Sequence, residues 1–263
     1  MRAWLTAICL LAAAASAFSC SDDGNGGNGA TPGATRTVSV PTAPVGPCLP
    51  VSPAPAADGN LFGNPSFEDG KAPWCSLETE AWGPPFEVSR DLALDGTSSA
   101  HLRLRSEDGG AARIYGAVQE ITPEEFPEVL SGNYYVERWE KGTPKQYLQF
   151  VVIVFGADNI PAEVSGQANN HQMRYILAGA DSQPTFVSNA RYVFVTREEP
   201  KTGEWVHFER NISQDFEQLW GEIPRGFDKM RILFEVRWDE RQPSDPPSAA
   251  DVYYDGLYLG PER

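Results

Sequence analysis

Basic residues are in short supply. The chain sets 21 Lys+Arg against 36 Asp+Glu, a formal charge of −15 over 263 residues. A surface that holds nucleic-acid phosphates has to be basic, so this balance argues against that class of partner. Histidine is rarer still, with only His101, His171 and His207. No HExxH, Gly-x-Ser-x-Gly, P-loop or dinucleotide fingerprint occurs, so no motif sets a nucleophile beside its base. Two of the many carboxylates could serve a glycosidase, but their sequence positions do not say which converge. After the N-terminus there is no long apolar run, which excludes a multi-span membrane protein. No internal repeat is visible. What is present is a hydrophobic fraction of 41% with 11% aromatics, enough to fill a core and to exclude wholesale disorder.

Cysteine is sparse, and its four positions are informative. Met1-Arg2 followed by the apolar run Ala3–Phe18 reads as an export signal, too short and too weakly flanked for a spanning helix. Ala15-Ser16-Ala17 would suit the ordinary signal peptidase, giving a plain secreted protein. The alternative is that Ala17-Phe18-Ser19-Cys20 resembles a bacterial lipobox, with Cys20 as the lipid-modified first residue. Cys9 leaves with the signal. If Cys20 carries lipid, Cys48 and Cys75 remain and can pair in an oxidising compartment. Plain export would leave one thiol over, so the count favours the lipoprotein. Closing that loop would contribute about 3 kcal/mol by the chain-entropy model.

The expected organisation is therefore a signal over residues 1–19, a tether over 20–57 and a folded domain over 58–263. The tether is Gly/Asn- and then Pro/Thr/Ala-rich, too poor in large apolar groups to offset its ordering entropy. Its charges cancel with those of the signal, so the whole −15 lies in the domain. Like-charged headgroups would repel that domain, which would hang near the bilayer rather than lie on it. The expected location is the bacterial cell envelope, outside the cytoplasm.

The domain reads as strands. Ala100–Arg105 and Glu204–Ile212 alternate with period two, as in half-buried strands. Tyr147–Phe155 is apolar on both faces, as expected for a strand covered on both sides. Met230, Ile232, Phe234, Val236 and Trp238 share one face, and Val252–Leu259 forms the last strand. Tyr134 and Tyr135 cannot both face inward from one strand. Ser213–Trp220, stopped by Gly221, suits about two helical turns. Thr122-Pro123-Glu124-Glu125-Phe126 could start another. The stretch from Gly156 to Ala190, rich in Gly, Asn, Gln and Pro, predicts a long loop or an extra hairpin. The fold class is an all-β antiparallel sandwich with one or two short helices.

Four pieces carry a resemblance. Asn60–Gly70 (NLFGNPSFEDG) followed by Trp74, the turn Asp95–Leu102, Gly203-Glu204-Trp205 and Val252–Leu257 resemble, in order, elements of bacterial carbohydrate-binding modules with the galactose-binding-like jelly roll. The resemblance spans nearly the whole domain. It implies a structural calcium joining the first and last strands, with Glu68 and Asp255 supplying side-chain oxygens and the Asp95-Gly96-Thr97 turn backbone carbonyls. The alternative is that Glu68 caps a turn and Asp255 bonds neighbouring backbone. It also implies a glycan ligand, which needs an aromatic face under the apolar side of a pyranose. Trp82, Tyr115, Trp139 and Trp238 are the candidate rings. Trp74, Trp205, Phe208 and Phe234 are expected in the core, where large rings dominate packing. His101 and His207 are expected in structural roles. The resulting expectation is a non-catalytic, lipid-anchored binding domain for a glycan. An envelope scaffold holding a protein partner, and more remotely a glycoside-active enzyme, are the alternatives.

Overall fold

A computed structural model describes Cys48, residues 58–161 and residues 169–263. The signal, Cys20 and all of the tether but Cys48 lie outside the described residues. No helix among the described residues is long and apolar enough to cross a membrane.

Among the described residues, ten strands and one α-helix follow in chain order: β1 Glu87–Ser89, β2 Ser99–Arg105, β3 Arg113–Ile121, β4 Val129–Glu140, β5 Gln146–Phe155, β6 Asn170–Ala178, β7 Ala190–Phe194, β8 Trp205–Asn211, α1 Ile212–Trp220, β9 Lys229–Trp238 and β10 Ala249–Gly260. They form two five-stranded sheets, ordered β1-β2-β10-β4-β8 and β3-β9-β5-β6-β7. All pairings are antiparallel except β6 with β7. The expected all-β sandwich is the observed fold.

Period-two alternation explains the core. Leu102 and Leu104 of β2, Tyr134 and Val136 of β4, Phe208 of β8 and Val252 and Tyr254 of β10 point inward from one sheet. Phe150 and Val152 of β5 and Ile232, Phe234 and Val236 of β9 meet them from the other. Strand β5 is buried on both faces, because Val151 and Ile153 join Val118 and Leu233 in a second apolar cluster on the outer face of its sheet. The Cys48–Cys75 disulfide packs over that cluster, its Cα atoms 5.6 Å apart.

The first and last segments of the domain meet as expected. Leu61 donates its N–H to the Leu259 carbonyl at 2.7 Å, and Asn60 bridges Leu257 and Leu259 through both ends of its amide. Helix α1 begins where the Asn211 side chain accepts the Gln214 N–H at 3.0 Å and ends at Gly221, whose φ of +93° suits glycine. Ile212, Phe216 and Trp220, four apart, bury one face.

One expectation about elements is corrected and another is met in part. Residues 122–128 form no helical turn; they link β3 to β4 as an irregular connection. The stretch from Gly156 to Ala190 contains β6, a buried strand that also pairs with β5. Its Gln172 and Arg174 lie on the outer face, which becomes apolar only at Ile176, buried beside Tyr147.

Candidate functional site

The aromatic residues expected to bind are dispersed. Tyr115, 2% exposed, lies in the core and its hydroxyl donates to Asp108. Trp238, fully buried, continues the inward alternation of β9 and donates Nε1–H to the Gly110 carbonyl at 3.2 Å. Inward alternation commits both rings to the space between the sheets, and of the two only Tyr115 also lines a surface cavity, the one bounded by Pro84, Pro85 and His101. Trp82 is half-buried and packs on the outer face of the second sheet, against Gly116, where a Cβ would come within 2.9 Å of its ring. Trp139 is half-buried too, with its Nε1–H donated to Glu199 at 2.7 Å.

A different group of rings comes together on the outer face of the first sheet. Trp205 of β8 stands opposite Tyr135 of β4, Tyr135 opposite Tyr253 of β10, and Tyr253 opposite His101 of β2. Centroid separations along this row are 5.6, 6.3 and 4.1 Å, the last pair stacked at 12°. Four adjacent strands at the usual sheet spacing make the row about 14 Å long, running across the strands. Trp205 was expected in the core beside Phe208. Three positions apart on a strand, the two must face opposite ways, and Phe208 takes the inside. The same rule separates Tyr134, which is buried in the core, from Tyr135.

Exposure is graded along the row. Trp205 and Tyr135 are half-buried, whereas Tyr253 and His101 are 3% and 4% exposed. The open end is thus an aromatic platform, backed by rings that neighbouring side chains hold in place. Tyr253 donates its hydroxyl hydrogen to Glu137 at 3.1 Å, and burial with this acceptor raises the phenol pKa well above its ordinary value. His101 meets Asp251 through Nε2 at 3.2 Å; since a carboxylate only accepts, Nε2 carries the proton. Burial, reinforced by the nearby Arg103, lowers the imidazole pKa, so the ring stacked on Tyr253 is neutral. Arg105 clamps the same Asp251 with contacts of 2.7 and 2.9 Å. Around the platform, Asn133 accepts from His207 Nδ1 at 3.2 Å, and Glu137, Glu209 and His207 are exposed. Stacking surface ringed by donors and acceptors suits a flat, hydroxyl-bearing ligand.

No family model matches the chain, and no curated protein matches it. Among solved structures, the sandwich is similar to TmCBM61 in complex with β-1,4-galactotriose, at TM-score 0.40 and 15% identity, covering 77% of this chain and 99% of that one. It is also similar to the carbohydrate-binding module CBM28, specific for non-crystalline cellulose, at TM-score 0.36 and 12% identity, covering 74% and 92%. A third likeness is to the enzymatically active domain of the bacteriophage CBA120 tailspike protein 4, at TM-score 0.41 and 12% identity, covering 76% of this chain and 21% of that one.

The residues considered for calcium have other partners. Glu68 accepts the N–H groups of Thr97 and Ser98 at 2.8 and 2.7 Å and the Thr97 hydroxyl at 2.9 Å. These bonds, led by the Thr97 amide, hold its pKa below the usual carboxylate range. Asp255 accepts N–H groups from Leu94, Asp95 and Gly256 at 2.7 to 3.0 Å, while burial raises its pKa. Asp95 accepts from Ser66 Oγ at 3.1 Å. Calcium takes six to eight oxygens, and here the carboxylate lone pairs already face hydrogens. Among the described residues no three or more of His, Cys, Asp and Glu gather. Glu68 and Asp255 tie one loop, residues 94–98, to the first and last segments of the domain.

Proposed function

We propose that this protein is a non-catalytic glycan-binding lipoprotein of the bacterial cell envelope, binding through the outer face of the β1-β2-β10-β4-β8 sheet. The observation that carries the reading is the row Trp205–Tyr135–Tyr253–His101 and its half-exposed end. The C–H face of a pyranose would lie on Trp205 and Tyr135, and Asn133, Glu137 and His207 would meet its hydroxyls. The excess of acidic groups favours neutral over acidic glycans, which it would repel. A glycosidase would need two carboxyls converging on one bond. On this face Asp251 is engaged by Arg105 and His101, which supports a binding role.

Affinity electrophoresis against neutral polysaccharides tests this reading. The wild-type domain should be retarded, and Trp205→Ala or Tyr135→Ala should each lose the retardation, while Trp82→Ala and Trp139→Ala keep it. Retention by the Trp205 and Tyr135 variants at wild-type strength would refute the platform. Anchoring is tested separately. Labelled palmitate should enter the wild-type protein in bacterial cells and be absent from Cys20→Ser.

A further inference from the structure

Beyond His101 the same face holds a cavity of about 270 Å³, walled by Pro84 and Pro85, by the rings of Phe86 and Tyr115, and by the polar Glu87, Arg103, Arg105 and Asp108 as well as His101 itself. Its origin is legible in the chain. Strand β1 pairs with Ser99 to His101 of β2 and no further, since the preceding Pro84 and Pro85 have no N–H to extend the ladder. The remaining length of β2, out to Arg105, lacks a neighbour on that side, and the gap is the cavity.

The polar groups around it differ in freedom. Arg105 is fixed by the Leu104 and Ala250 carbonyls, both at 2.8 Å, and by Asp251. Asp108 accepts from Tyr115. Arg103 and Glu87, by contrast, meet only at 3.5 Å, with side chains 51% and 59% exposed. Such a pair contributes little by itself and is free to turn toward a ligand. The rim therefore offers a donor fork and an acceptor fork side by side on a partly rigid frame with proline walls.

That combination selects a chemistry. A carboxylate or phosphate would face Glu87 and Asp108 beside the two arginines, one of them already neutralised by Asp251. A cation would face the two arginines. A wholly apolar guest would desolvate charges without pairing them. Neighbouring hydroxyls each donate and accept, so they satisfy both forks at once. The volume lies below the roughly 300–1,000 Å³ of pockets for drug-sized ligands, which limits the guest to about one ring.

We infer that this cavity is a second saccharide subsite, receiving one neutral sugar ring, an end or branch residue of the glycan whose other residues lie on Trp205 and Tyr135. The inference rests on the glycan reading above. Titration calorimetry of the full chain with cello- and galacto-hexasaccharides tests it, with an oligogalacturonide as the acidic counterpart. Arg103→Ala and Glu87→Gln, both at exposed side chains, should each weaken the better neutral ligand about tenfold, as loss of one charge-assisted hydrogen bond does. Trp205→Ala should weaken it as well, and the Trp205→Ala/Arg103→Ala double variant should abolish binding. Wild-type affinity in both cavity variants, with Trp205→Ala impaired, would overturn the subsite and leave the platform standing. Absence of neutral-ligand binding in the wild type, or an unimpaired Trp205→Ala, would overturn the platform itself. Tighter binding of the oligogalacturonide would overturn the neutral assignment.

Discussion

Trp205 and Trp238 are the same residue in opposite circumstances. Trp238 fills the space between the sheets, so Trp238→Ala should cost about 3–5 kcal/mol in urea unfolding. Trp205 stands on the outer face, and Trp205→Ala should cost below about 1 kcal/mol while removing glycan retention. Equal stability losses for the two would mean that Trp205 is a core residue after all. Gly96 is a second residue with a defined task. Its φ is +71°, and a Cβ there would come within 2.6 Å of the Glu68 carboxyl. Gly96→Ala should therefore destabilise by more than about 1 kcal/mol. Because the Glu68 and Asp255 oxygens face N–H hydrogens, a chelator should leave the melting temperature of the wild type unchanged. A drop of several degrees would show a bound cation that the donor set does not suggest.

At the scale of elements, the disulfide is the feature with the clearest consequence. Cys48 and Cys75 are 27 positions apart, and Cys75→Ser should lower stability by about 3 kcal/mol, read from the denaturant midpoint. A loss confined to a few tenths would mean that the unfolded chain is already compact there. The pairing was readable from the cysteine count taken together with the lipobox resemblance at Cys20. So were β5, from apolar residues on both faces, and α1 from Ser213 onward, from its terminal glycine; its cap Asn211 and first residue Ile212 read as strand. Strand β6 was not readable. Asn170, Gln172 and Arg174 lie among Gly, Gln and Asn, and their alternation with Met173 and Tyr175 is too brief to stand out. Pairing with β5 makes that segment a strand, and pairing is not local.

For the molecule as a whole, two buried histidines set an expected pH response. Burial is the main cause that holds both His101 and His171 below the ordinary 6.5. The unfolded chain then takes up protons that the folded chain refuses, so stability falls as pH drops below about 6.5. Urea midpoints at neutral pH and at about pH 5.5, where the carboxylates remain ionised, should differ in that direction. His171→Leu should reduce the difference; a flat profile for the wild type would contradict the burial. The candidate site belongs to this scale as well. Period two by itself decides that Trp205 and Phe208, or Tyr134 and Tyr135, face opposite ways, because successive side chains of a strand alternate. It does not decide which side is inside. It also cannot place β10 between β2 and β4, which brings Tyr253 beside His101 and Tyr135. Those neighbours are more than a hundred positions away in the chain, and their contact depends on the register of two sheet pairings. Strand character, most of the helix and the paired cysteines followed from local chemistry, whereas the aromatic row and the cavity beside it exist only once distant strands lie side by side.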